Sequence, residues 1–227
     1  MVAGGSFPPF TVLDGDGRMT GVYPDALASI GRELDWTFQY MAVPWARAQD
    51  MVRTAQADGF ITVPTPERQN YALFAKQPLV SGLGMVIVHA VDSPRRSEIE
   101  RIASYDDLRP FALVDYIGNG WGNAIWESWP TVERVRDLRT LVRMIATGRA
   151  DIALQPRSVV EAVARQAGFE GQIVFHAATF AERSTSGVHF GLRRNFPGAE
   201  ASMALYEEVQ ARFIARRGVD DLMERWS

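Results

Sequence analysis

Segments of helical period and segments of strand period alternate along this chain, in two successive blocks. That alternation restricts the fold more than any single residue does, because strand, helix and strand in order imply parallel pairing with helices laid on the sheet. In the first block Leu27, Ile30 and Leu34 recur at helical spacing behind Pro24 and Asp25, which suit a first turn by fixed φ and by charge against the helix dipole. Trp36, Phe38 and Tyr40 then alternate with Thr37 and Gln39 as a strand does. Residues 45–57 carry Ala48, Met51, Val52 and Ala55 on one helical face, and Ala57-Asp58-Gly59 leads into the apolar run Phe60-Ile61-Thr62-Val63.

The second block repeats this order. Residues 111–114 read as a strand, 123–129 as a helix and 137–147 as another, with Leu138, Leu141, Val142 and Ile145 apolar and Gly148 ending it. Ala150-Asp151 opens a strand over 152–154, as Ala57-Asp58 opens the earlier one. Two α/β units of like construction are therefore expected, alike in pattern and not in sequence identity. Residues 157–167 give one more helix, stopped by Gly168, and 172–176 one more strand. The β-rich stretches 83–89 and 187–192 bracket the second unit and read as the two crossings between lobes. Ligands of open α/β sheets gather at the carboxyl ends of the strands, so a cleft between lobes is the default site.

Composition narrows the function classes. With 47% hydrophobic residues over 227 positions, the chain has the material for a full core. A formal charge of −3 gives no general attraction to nucleic acid or anionic lipid. The longest stretch without Asp, Glu, Lys or Arg, residues 77–91, contains Pro78, Gly82 and Gly84 and falls short of the roughly 20 apolar residues of a membrane span. The absence of cysteine excludes disulfides and thiolate chemistry. His89, His176 and His189 have no metal-ligand spacing, and neither a nucleophile elbow nor a phosphate-binding Gly-Lys-Ser/Thr loop occurs, so no metal, cofactor or catalytic residue is expected. Asp14-Gly15-Asp16-Gly17 lacks the ligand spacing of a calcium loop and reads as a hairpin turn. No basic, apolar leader is present, and removal of a signal segment is the expectation.

Several short motifs follow one another in a recognisable order. Phe7-Pro8-Pro9-Phe10, the turn at Asp14 to Gly17 and Thr20-Gly21-Val22-Tyr23-Pro24-Asp25 come first, then Val43-Pro44-Trp45, Ala57-Asp58 and Thr65-Pro66-Glu67-Arg68. Asp106-Asp107-Leu108, the loop Gly118 to Asn123 and the closing Leu222-Met223-Glu224-Arg225-Trp226 complete the series. Over nearly the whole chain, this order resembles the bacterial extracellular solute-binding proteins of the polar amino-acid uptake type, family 3. The resemblance implies a two-lobed periplasmic-binding-protein (Venus flytrap) α/β fold, each lobe a mostly parallel sheet flanked by helices, with two crossover strands. It implies an inserted second lobe, with residues 1–88 and 183–227 forming lobe 1 and 89–182 forming lobe 2. It also implies hinge closure, a periplasmic or extracellular location, and a monomer that works with a membrane permease.

Arg68 matches the family arginine that grips a ligand carboxylate, and its planar guanidinium offers paired hydrogen bonds that a lysine does not reproduce. Phe7 and Trp45 match the aromatic positions that sandwich the ligand's side chain, with core packing as the alternative. Arg47, one turn into the helix, is a second cation for the ligand or a solvated helix residue. The glycines Gly118, Gly120 and Gly122 stand between a strand and a helix, where free N–H groups and the helix dipole favour an anion, and their spacing differs from a dinucleotide fingerprint. Trp121 is placed to reach the cleft, whereas Trp126 and Trp129 read as core.

One departure bears on substrate class. Amino-acid binders of this family hold the ligand ammonium on an aspartate near the fourth strand end of lobe 2. The matching stretch here is Leu154-Gln155-Pro156-Arg157, in which Gln155 offers a hydrogen bond and Arg157 a charge. A carboxylate without an adjacent ammonium, or an amine held by another acid, is the expected ligand. The expected function is capture of a small, carboxylate-bearing solute and its delivery to an ABC-type membrane transporter. The alternatives are the ligand-sensing domain of a membrane receptor and a cyclohexadienyl-dehydratase-like enzyme on the same scaffold.

Overall fold

A computed structural model describes residues 1–126, 129, 132–182 and 187–226. The chain begins β1 (Val2–Gly4), β2 (Val12–Leu13), β3 (Met19–Thr20), α1 (Val22–Leu34), β4 (Tyr40–Ala42), α2 (Trp45–Arg53), β5 (Gly59–Thr62), α3 (Pro66–Gln69) and β6 (Ala72–Phe74). It continues β7 (Met85–Ala90), α4 (Arg96–Ile99), β8 (Leu113–Tyr116), α5 (Gly120–Trp126), β9 (Val132–Val135), α6 (Leu138–Ala146), β10 (Ala153–Pro156), α7 (Arg157–Ala167) and β11 (Ile173–Ala177). Last come α8 (Thr179–Glu182), β12 (His189–Arg193), α9 (Ala199–Ala215) and α10 (Gly218–Trp226). Contacts gather these elements into two compact units, Met1–Ser81 with Ser186–Ser227, and Gly82–Thr185.

The division expected after residue 88 falls inside β7. All six residues of β7 pair within the second unit, against β10 or β11, so the stretch 83–89 supplies the central strand of one sheet and not a crossing. β12 likewise pairs wholly within the first unit, between β5 and β6. The limit expected at 182/183 adjoins residues 183–186, which lie outside the described residues, as do residues 127 and 128 of the helix expected over 123–129.

In the first unit the sheet order is β4-β1-β5-β12-β6. β1 runs parallel to β4 and β5, to which it is linked through helices, whereas β12 runs antiparallel to both its neighbours. The strand expected over 36–40 is displaced to Tyr40–Ala42, because β1 offers a ladder to those three residues only. Phe38 packs its ring against Phe190 of β12 instead, at 6.1 Å between centroids. α1 buries Val22, Tyr23, Ala26, Leu27 and Ile30, of which Leu27 and Ile30 are expected from periodicity while Leu34 is half-buried, and it packs on α9 and α10. Asp14 Oδ1 accepts the N–H groups of Asp16 and Arg18 and closes the β2–β3 hairpin, as its turn sequence leads one to expect.

The second unit has β7 between β10 and β11, both antiparallel to it, while β8 and β9 pair parallel and a bridge from Leu113 to Ile152 sets β8 parallel to β10. The sheets of both units are thus mixed. α7 spans the residues expected and ends on Gly168, whose φ of 75° is left-handed backbone that glycine adopts without strain. Asp137 caps α6 by accepting the Thr140 N–H at 2.7 Å. The core of this unit gathers Ile87, Leu108, Leu113, Trp126 and Ile152, with Trp126 fully buried and Trp129 nearly so.

Candidate functional site

Three loops of the first unit follow the carboxyl ends of the adjacent parallel strands β4, β1 and β5, and each carries one residue singled out in the sequence. Phe7 follows β1. Its N–H donates to Thr11 O at 2.8 Å and its carbonyl accepts from Phe10 N–H at 2.9 Å, which folds the two prolines into a tight turn. The half-buried Phe7 ring stacks at 5.7 Å on Phe10, which stacks at 5.1 Å on Tyr23, so a ladder of rings anchors it to α1. Trp45 opens α2 behind β4. It is half-buried, its ring meets Phe60 edge-on at 6.1 Å, and Pro44 stands before it at the cap position.

Arg68 lies on α3 behind β5. Thr65 caps that turn by accepting the Arg68 N–H at 3.3 Å, and Pro66 supplies its first residue. Only 3% of Arg68 is exposed, a degree of burial that a guanidinium tolerates when it is hydrogen-bonded. Its Nε donates to Gln49 Oε1 at 2.9 Å, its Nη1 to Val63 O at 2.8 Å, and its Cζ stands 5.4 Å from the centre of the Trp45 ring. Trp45 and Gln49 are one helical turn apart on the same face of α2, so that face both stacks on and orients the cation. Sequence reading missed Gln49; its spacing of four from Trp45 was the available signal.

Arg47 falls on the other side of α2. It pairs with Asp50 at 2.8 Å and Gln56 at 2.6 Å and is 47% exposed, so the reading as a second ligand cation gives way to that of a solvated helix residue. Arg157, expected to offer a charge to the ligand, has surface partners of the same kind. Its Nε donates to Glu161 Oε1 at 2.8 Å one turn along α7, its guanidinium covers Phe175, and it is 59% exposed.

In the second unit the carboxyl ends of β8 and β10 converge on Asp115, a residue that sequence reading did not single out. Asp115 is 1% exposed. Its Oδ1 accepts from Tyr116 N–H at 2.8 Å, from Asn119 Nδ2 at 3.0 Å and from Gln155 Nε2 at 3.0 Å. Its Oδ2 accepts from Asn119 Nδ2 at 3.0 Å, Trp126 Nε1 at 3.1 Å and Arg134 Nη1 at 3.5 Å. Burial pushes this carboxyl up to about 6, against the hydrogen bonds of Asn119 and Tyr116, the charge of Arg134 and the indole of Trp126, which favour the ionised form. Gln155, expected at the site, is therefore buried and bonded to an acid on the neighbouring strand.

The glycine loop serves this same cluster. α5 begins at Gly120, and Asn119 Oδ1 accepts the Gly122 N–H at 3.2 Å. A Cβ on Gly122 would lie 2.4 Å from Asp115 Oδ2 and 2.5 Å from the Trp126 ring, so only glycine lets the helix sit this close to the carboxylate. The anion gathered at this turn in the structure is the protein's own Asp115 carboxyl, beside the expectation of a ligand anion at Gly118 and its neighbours. Trp121 is half-buried and packs edge-on to Trp126 at 5.7 Å, against the core of the unit. Among the described residues no helix is long and apolar enough to cross a membrane, and no cluster of His, Asp or Glu is arranged to hold a metal.

The profile of the bacterial extracellular solute-binding proteins, family 3, matches residues 1–226. No protein of curated function matches the sequence. Solved structures match over the whole chain. The substrate-binding protein of an amino acid ABC transporter is 19% identical with a TM-score of 0.78, covering 100% of this chain and 98% of that one. A histidine kinase sensor domain with similarity to periplasmic binding proteins is 17% identical with a TM-score of 0.79, covering 100% and 95%. An ancestral arginine-binding protein bound to arginine is 19% identical with a TM-score of 0.78, covering 99% and 96%. At these identities the likeness establishes a shared fold.

Proposed function

The chain belongs to the bacterial extracellular solute-binding proteins, family 3, and from that premise we propose that it captures a small polar solute bearing a carboxylate and hands it to an ABC-type membrane transporter. The observation that carries this reading is Arg68: an arginine residue only 3% exposed, held behind a strand end by Gln49 and the Val63 carbonyl and covered by the Trp45 ring. An arginine so oriented is suited to bind a carboxylate through charge-assisted hydrogen bonds, and the half-buried rings of Trp45 and Phe7 are suited to a flat or apolar side group. Closure of the two units over the solute, in a periplasmic or extracellular setting and as a monomer, belongs to the same reading. The amino acids bound by the structural neighbours supply the first compounds to try.

A thermal-shift screen of carboxylates finds the ligand, and calorimetry on wild type, Arg68→Lys and Arg68→Ala then tests the site. Alanine is expected to weaken binding by about 2–5 kcal/mol, roughly 30-fold to several thousand-fold, and lysine is expected not to restore it. Arg68→Ala binding within about threefold of wild type, with an unchanged circular dichroism spectrum, would end the carboxylate reading.

A sensor-domain role is favoured by one observation, the likeness to the histidine kinase sensor domain at a TM-score of 0.79, beside 0.78 for the transporter protein. Both roles share the capture step and differ in what reads the liganded form. Stimulation of a reconstituted permease supports delivery, and stimulation of a kinase supports sensing. An enzymatic role has Asp115 as the only buried acid among the described residues of the second unit, and its two oxygens accept six hydrogen bonds from protein groups.

A further inference from the structure

We propose that Asp115 is a positioning residue that fixes the amide of Gln155 with its NH2 inward and its carbonyl oxygen presented, so that the second unit recognises a hydrogen-bond donor on the solute. This rests on the binding reading above and says what the second unit asks of the same solute. The two faces of a glutamine amide differ in kind: the nitrogen donates and the oxygen accepts, and only the neighbours decide which faces where. Here the neighbours leave one arrangement. An ionised carboxylate accepts only, so the group turned toward Asp115 must be Gln155 Nε2, at 3.0 Å. The remaining donors around Asp115 cannot be exchanged for acceptors, since the Tyr116 N–H, the Trp126 indole and the Arg134 guanidinium only donate.

Asn119 is oriented by the same logic. Its NH2 faces Asp115 and its Oδ1 accepts the Gly122 N–H, so the carboxylate sets the polarity of two amides at once. Among the described residues Gln155 Oε1 meets no donor, and it is not among the sealed buried polar atoms of the structure. Gln155 is the last residue but one of β10, at the carboxyl end of a strand bridged parallel to β8. An acceptor aimed from that place suits an ammonium, a hydroxyl or an amide N–H of the solute. A bare carbonyl there would set two acceptors against each other.

The test uses the full chain in two arms. In the first, side-chain amide resonances of the free protein are assigned by NMR. The Gln155 NH2 is expected to be shifted from the free-amide position and protected from exchange, and Asp115→Asn to reduce that protection. In the second, the matched probes phenylalanine, phenyllactate and phenylpyruvate, which carry an amine, a hydroxyl and a carbonyl at the same carbon, are titrated by calorimetry. Wild type is expected to bind the oxo acid at least about tenfold more weakly than the better of the other two, and Asp115→Asn to bring the three within about threefold. A Gln155 amide that exchanges like a solvated one overturns the proposal without any ligand. So does an unchanged order of the three probes in an Asp115→Asn protein that keeps the wild-type circular dichroism spectrum. A protected amide together with no binding of any probe supports the orientation, while the carboxylate reading of Arg68 stands or falls on the Arg68→Ala calorimetry, so the two ideas fail separately.

Discussion

The two units solve the same problem with opposite charges. In the first, a cation is brought to a strand end, with an amide oxygen, a backbone carbonyl and an indole face among its partners. In the second, an anion is buried under a strand end and a neutral amide stands over it. The difference teaches where each unit's charge is used. Arg68 is oriented by its surroundings, whereas Asp115 orients its surroundings. The aromatic residues divide in the same way. Trp45 is half-buried at a loop and shares its ring with Arg68, while Trp126 is fully enclosed and gives its N–H to Asp115.

The largest expected effect tests that division of the tryptophans. Trp126→Ala removes a fully buried indole and one donor of Asp115, and is expected to lower stability by about 3–5 kcal/mol, read from urea denaturation. A loss below about 1 kcal/mol would show that the Asp115 cluster does not organise the second unit. Next in size is pH. Asp115 titrates near 6 in the folded chain against an ordinary value of 3.8, so the stability linked to it is fully present below about pH 4 and lost as pH rises through about 6. The change spans about 3 kcal/mol, and the urea midpoint is expected to fall along that limb in wild type and to stay flatter in Asp115→Asn. A wild-type and variant difference that does not vary between pH 4 and 7 would place the Asp115 carboxyl in solvent.

Trp45→Ala is expected to weaken ligand binding by about 1–3 kcal/mol, through lost contact area and stacking, while the urea midpoint moves less than it does for Trp126→Ala. Equal binding losses in the two variants would mean that the assignment of aromatic roles to the units is reversed or void. The smallest effect belongs to Arg47→Ala, expected to leave affinity unchanged and stability within about 0.5 kcal/mol, since its partners lie on an exposed helix surface. A tenfold loss of affinity there would return Arg47 to the site.

What was legible in the sequence was whatever depends on near neighbours. The helix behind Pro24 and Asp25, the helix at 157–167, the Asp14 hairpin and the core placement of Trp126 all follow from periodicity or turn chemistry within a few residues. The placing of Arg68 behind a strand end came from its motif, and Trp45 was carried by a second motif, Val43-Pro44-Trp45. What could not be read depends on distant pairing. β7 looks in isolation like any apolar strand, and its membership of the second unit is set by partners about 65–90 positions further on. Asp115 escaped notice for the same reason, since one acid in an apolar strand acquires its meaning from Gln155, 40 residues away. Arg47 and Arg157 carry a surface reading within the sequence itself. Each has an acid three or four residues on, at Asp50 and Glu161, and that spacing is the signature of a surface pair.

The position of β12 has a consequence for biosynthesis. It lies between β5 and β6, so the sheet of the first unit stays split until residue 193 has left the ribosome. The second unit is one uninterrupted segment, and among the described residues it has all its strands by residue 177. On a nascent chain it therefore completes its sheet first, while β5 and β6, already made, wait with unpaired edges. Those waiting edges, and not the later-made but self-sufficient second unit, are where a chaperone would find a surface to hold.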